Sequence, residues 1–76
     1  MIPDKVSHNG SEYRLDIHVK LSKGASKADY LEEYIVDIYD SSNDQIGTTS
    51  HWSPCEARSK VYDLIIGYSD ELDNNK

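Results

Sequence analysis

Apolar and polar side chains alternate without a break from Tyr13 to Leu21. Tyr13, Leu15, Ile17, Val19 and Leu21 fall on one side, and Arg14, Asp16, His18 and Lys20 on the other. A period of two with one apolar face predicts a half-buried β-strand. Just upstream, Asn9-Gly10 is the dipeptide favoured in a two-residue type I′ hairpin, because both central positions need positive φ. That turn sets Val6 opposite Tyr13 and predicts a short strand near residues 4–8. Pro3 confines it to an edge of the sheet.

Ser22 to Ala28 reads as a polar loop containing Gly24. The stretch after it admits two readings. Ser26 and Asp29 could open a helix in which Ala28, Leu31, Ile35 and Ile38 keep helical spacing. The β-branched and aromatic run Tyr34-Ile35-Val36, Ile38-Tyr39 favours instead a strand over about 33–39. It would place Tyr34, Val36 and Ile38 on one face and Ile35, Asp37 and Tyr39 on the other. Asp40 to Asp44 has the composition of a turn. A further strand is expected near 45–51, with Ile46 and Thr48 inward and Gly47 at a bulge.

The last element is predicted to be a helix. Ser53 is its N-cap, Pro54 its first helical residue and Glu56 the partner in a capping box. Ala57, Val61, Leu64, Ile65, Tyr68 and Leu72 then form one apolar stripe. Gly67 weakens the final turns, and Asp70, Glu71 and Asp73 oppose the helix dipole there, so this end frays unless something holds it. The expected architecture is α+β: a three- or four-stranded antiparallel β-meander packed by one C-terminal amphipathic helix. The βββα order over residues 12–72, with its Ser53-Pro54-Cys55-Glu56-Ala57 helix start, resembles HicB-like antitoxins and other small sheet-plus-helix modules. The resemblance is in element order and implies a fold, not an activity.

With 76 residues the chain has room for one small domain spanning 1–76, with 73–76 a frayed tail. Such a domain buries only about 60% of its unfolded surface, so a second copy is an expected source of stability. A single cysteine, Cys55, rules out an internal disulfide and a thiolate zinc site. Neither a membrane-spanning apolar run nor the apolar region of a signal peptide is visible, so a cytoplasmic protein is expected.

Charge changes the picture most. The net charge is −6, yet residues 1–28 carry five basic and three acidic side chains, against three basic and eleven acidic over 29–76. Asp29, Glu32, Glu33, Asp37, Asp40 and Asp44 follow one another with no intervening base. Direct nucleic-acid binding is disfavoured by that balance. Catalytic and metal constellations are sparse. Cys55 and His51 lack an orienting third residue for thiol chemistry. His18, Asp37 and His51 would converge as zinc ligands only if three strand registers agreed. No phosphate loop or dinucleotide fingerprint is present. No enzymatic activity, cofactor or metal is therefore expected.

The function expected is that of a small protein-interaction protein. Glu32, Glu33, Asp37, Asp40, Asp44, Asp70, Glu71 and Asp73 would form an acidic contact surface. Ile35, Tyr39, Tyr62 and Ile66 would be its apolar or dimer contacts. The partner would be a basic, nucleic-acid-binding protein whose site is occluded, as by a DNA mimic, and the size and charge are those of phage host-takeover factors. The density of acids qualifies this. Along an extended strand they come about every 9 Å, against one charge per about 1.7 Å of duplex DNA, so a homodimer would be needed to concentrate them. The alternative is a dimeric, antitoxin-like regulatory module that binds through apolar contacts, its acids only solubilising.

Overall fold

A computed structural model describes residues 2–23 and 30–74, with side chains over 2–21 and 31–72. Four strands and one helix follow in the order β1 (Lys5–His8), β2 (Ser11–Lys23), β3 (Tyr30–Tyr39), β4 (Gln45–His51) and α1 (Pro54–Asn74). The strands form one antiparallel sheet in chain order. The expected α+β meander with one packed helix is thus the observed fold.

The first turn follows from its dipeptide. Asn9 and Gly10 have φ of 50° and 78°, and Val6 pairs with Tyr13. The second reading of the ambiguous stretch holds, and its strand begins earlier than expected, at Tyr30. Ser22 and Lys23, expected in the loop, continue β2 opposite Leu31 and Tyr30. The rest of that loop, over 24–29, lies outside the described residues.

Asp40 organises the third turn. Its Oδ1 accepts the N–H groups of Ser42 and Asp44, each at 2.9 Å, while its own N–H donates to the Asp44 carbonyl. Just past the turn, Tyr39 pairs with Gln45 but Ile38 with Gly47, so Ile46 is the extra residue of a bulge. The bulge corrects the expected facing of β4. Ile46 packs on the core as foreseen, but Thr48 lies opposite Asp37 on the outer face, and Gly47, Thr49 and His51 turn toward the helix. One inserted residue exchanges the two faces of everything after it.

Helix α1 runs back along β4 and lays its stripe from Ala57 to Tyr68 on the inner face of the sheet, while Leu72, expected in that stripe, is 49% exposed. Val36, Ile38, Ala57, Val61 and Ile65 are fully buried, with Ile2, Val6, Tyr13 and Leu15 around them. Burying each of the larger of these side chains contributes roughly 1.5–3 kcal/mol. The helix comes closest at Gly47, where a Cβ would stand 2.8 Å from both Leu64 methyl carbons.

Both helix ends differ in detail from expectation. At the start, Ala57 N–H closes the first turn on the Ser53 carbonyl at 2.9 Å. The Ser53 N–H, which a capping box would give to Glu56, is instead donated to Nδ1 of His51 at 3.0 Å. His51, the last residue of β4, thus takes the place that Glu56 would have in a capping box. At the far end, Ser69 is buried within the stripe and accepts from Asn9 Nδ2 at 3.2 Å, and the Tyr68 hydroxyl reaches Asp40 at 3.5 Å. These two contacts, together with the edge-to-face pair of Tyr13 and Tyr68, hold the end that dipole and glycine would loosen.

The sheet outreaches the helix. His51 pairs with Tyr34, which pairs with Val19, so α1 begins near that level. Beyond it β2 and β3 continue as a two-stranded arm through Lys20–Lys23 and Tyr30–Glu33. Four residues add about 13 Å, and the long axis of the molecule reaches 53 Å. Among the described residues no helix is long and apolar enough to cross a membrane.

Candidate functional site

Strand register decides where the acids go, and it separates them. Asp40 and Asp44 sit in the β3–β4 turn, and Asp70 and Glu71 on the last turns of α1, which have no basic residue at their end. The Tyr68–Asp40 contact brings these two groups to one end of the molecule. The aligned peptide dipoles of α1 place partial negative charge at that same end. The side chain of Asp73 lies outside the described residues.

Glu32, Glu33 and Asp37 are elsewhere. Glu32 lies on the inner face of the arm, opposite Leu21, and accepts the Tyr34 hydroxyl at 2.8 Å. Glu33 is opposite Lys20 on the outer face, where the two charges offset one another. Asp37 is in the middle of that face, 3.4 Å from His18 and directly across from Asp16. Like charges directly opposite repel, and Arg14 relieves the pair by holding Asp16 at 2.7 Å. From Glu32 to Asp40 is eight residues of strand, about 26 Å. Of the seven acids whose side chains are described, four form an acidic end and three lie apart from it, so they are not one surface.

The four apolar candidates also divide. Ile35 and Tyr39 are half-buried on the outer sheet face, and Tyr39 carries the Arg14 guanidinium 4.3 Å from its ring centre. Tyr62 and Ile66 are exposed on the flank of α1, in the other layer of the fold. The structure adds residues that the spacing did not single out. Val19, Leu21, Leu31 and Trp52 are each about half exposed or more. Val19 and Leu21 continue the core-facing row of β2 past the point where the helix ends, so their apolar character was legible but their lack of cover was not. Beside them, Ile2, Ile17, Tyr34 and Pro54 line an open apolar cavity of about 350 Å³.

The hydroxyl of Tyr34 titrates above the ordinary phenol value, chiefly because it donates to the Glu32 carboxylate, with burial acting in the same direction. Tyr68 is raised as well, by burial first and then by the negative charge of Asp40.

The possible metal trio is undone by the bulge. His18 and Asp37 share the outer face, but His51 faces the helix, where its ring serves Ser53 and lies 3.8 Å from Glu56. No group of three or more potential metal-binding side chains occurs among the described residues. Cys55 is exposed in the first turn of α1. No family model, no curated protein and no solved structure matches the chain.

Proposed function

We propose that this chain is a small protein-binding protein whose acidic end engages a basic surface of its partner, occluding a site that otherwise holds nucleic acid. The observation that supports this is the assembly of Asp40, Asp44, Asp70 and Glu71 at one end of the molecule, beside the negative end of the α1 dipole. Asp40 also holds the turn, so Asp44, Asp70 and Glu71 are the side chains free to meet a partner.

Attraction between unlike surfaces acts mainly on encounter rate and weakens with salt. Replacing Asp44, Asp70 and Glu71 by Asn, Asn and Gln should release a partner captured from a host lysate. Raising salt several-fold should release it from the unmodified chain, and the purified chain should displace nucleic acid from that partner. Retention by the triple variant, or at high salt, argues against the proposal.

The exposure of Val19, Leu21, Leu31 and Trp52 favours a second reading, in which the chain is a dimeric or antitoxin-like module binding through apolar contacts while the acids solubilise it. On that reading Leu21→Ser loses the partner and the acidic triple variant keeps it.

A further inference from the structure

The β2 strand is thirteen residues long, but β1 pairs with only its first four, Ser11 to Arg14. One more hydrogen bond, from Leu15 N–H to the Asp4 carbonyl at 2.8 Å, extends that ladder. It also fixes which way each backbone group points. In an antiparallel strand the N–H and C=O of one residue point to the same side, and the next residue's point to the other. Leu15 points toward β1, so Ile17, Val19 and Leu21 do too, while Asp16, His18 and Lys20 bond to β3. Past Leu15 no described strand lies on the β1 side. Among the described residues, Ile17, Val19 and Leu21 therefore present six backbone groups without a strand partner along one edge.

The opposite edge of the sheet is treated differently. By the same alternation, Thr48 and Ser50 of β4 point outward, and Lys60 Nζ donates to the Ser50 carbonyl at 3.3 Å. The bulge at Ile46 interrupts the remainder. A lysine and a bulge are common means of blocking strand addition. Among the described residues the β2 edge has no comparable cover, and the side chains along it are apolar, with Val19 53% and Leu21 63% exposed. The cavity between Ile2, Ile17, Tyr34 and Pro54 opens beside that row on the same face.

We infer that the edge of β2 from Ile17 to Leu21 is a docking site for an extended segment of a partner protein, which adds as a fifth strand. In this mode the main chain supplies hydrogen bonds and a pocket selects alternate side chains. The inward side chains of the added segment are apolar: they cover Val19 and Leu21 and enter the cavity. A second copy of β2 fits less well. Paired antiparallel about Val19, it would bring its own Lys23 opposite Leu15, a place that Asp4 already holds. A free segment of about five residues avoids that collision. This goes beyond the proposal for the acidic end and does not depend on it, since the Asp44, Asp70 and Glu71 replacements leave the edge intact.

The test uses the full-length chain, isotopically labelled for nuclear magnetic resonance, and a capped hexapeptide of alternating valine and lysine. In the free chain the amides of Ile17, Val19 and Leu21 should exchange with solvent much faster than those of His18 and Lys20. Adding the peptide should slow those three by tenfold or more. A peptide N-methylated at alternate residues, which lacks the donors, should have no such effect. Val19→Pro removes one edge donor without touching the ladder to β3, so it should fold and bind the peptide at least tenfold more weakly. Binding that leaves the three amides unprotected, or equal binding by Val19→Pro, overturns the inference. So does no binding at millimolar peptide, or protection that grows with protein concentration alone, which would make a second copy the occupant.

Discussion

Two glycines on facing elements make opposite predictions from one substitution. Gly67 lies within α1, and nothing stands within 4 Å of where its Cβ would be. Gly67→Ala therefore removes backbone freedom from the unfolded chain and meets no obstacle, a gain of about 1 kcal/mol. Gly47 faces the helix from β4. Its new methyl would stand 2.8 Å from both Leu64 methyl carbons and 3.3 Å from Cγ. Leu64 is only half-buried and can give way in part, so Gly47→Ala should cost about 1–2 kcal/mol, within the range typical of overpacking. Against a total stability of roughly 4–11 kcal/mol for a chain of this size, both changes are measurable. Urea titration followed by circular dichroism reads them, and in a thermal melt about 1 kcal/mol corresponds to a shift of about 4–8 °C. A third variant isolates the cause: in a Leu64→Ala background, Gly47→Ala should lose most of its cost. If Gly67→Ala destabilises, α1 is not continuous through that position. If Gly47→Ala costs as much without Leu64 as with it, the close approach of helix and sheet is not what requires glycine there.

Further expectations concern the helix ends and the tyrosines. Asn9→Ala loses both a residue suited to φ of 50° and the bond to Ser69, and should cost about 1–2 kcal/mol in urea titration, with faster amide exchange in the last turns of α1. His51→Ala leaves the Ser53 N–H without its acceptor and should cost about 1 kcal/mol, while His51→Asn, which keeps an acceptor, should recover part of it. The phenols of Tyr34 and Tyr68 titrate above the ordinary phenol value of about 10. Above about pH 10 the unfolded chain gives up these protons while the folded chain retains them, so stability falls as pH rises from there. The double variant Tyr34→Phe, Tyr68→Phe should show a flatter fall between about pH 9 and about pH 11 in the same titration.

What could be read in the sequence was whatever depends on neighbours along the chain. The alternation from Tyr13 to Leu21, the Asn9-Gly10 turn and the stripe from Ala57 to Tyr68 all express local periodicity, and each element formed where it was expected. Other features resisted because they depend on a single inserted residue or on contacts between distant parts of the chain. The sequence places a bulge at Gly47; its extra residue is Ile46 instead, which turns Thr48 outward and His51 inward. The capping role of His51 follows from that same turn. Glu32 and Asp70 are both acids in an acidic half of the chain, and only the register shows that one belongs to the arm and the other to the far end. Ser69 reads as a polar surface residue until Asn9 is brought beside it from sixty positions away.

The unequal guarding of the two sheet edges also limits how the molecule can associate. Growth of a cross-β assembly requires every added unit to offer a fresh edge at its far side. Here the far side is β4, closed by Lys60 and by its bulge. A second copy joining at β2 would therefore present its own closed β4 edge at the far side and start no further strand. Concentrated solutions should saturate at a discrete complex, and light scattering should level off instead of climbing toward fibrils. The arm can offer an open edge because the rest of the fold keeps any association on it from propagating.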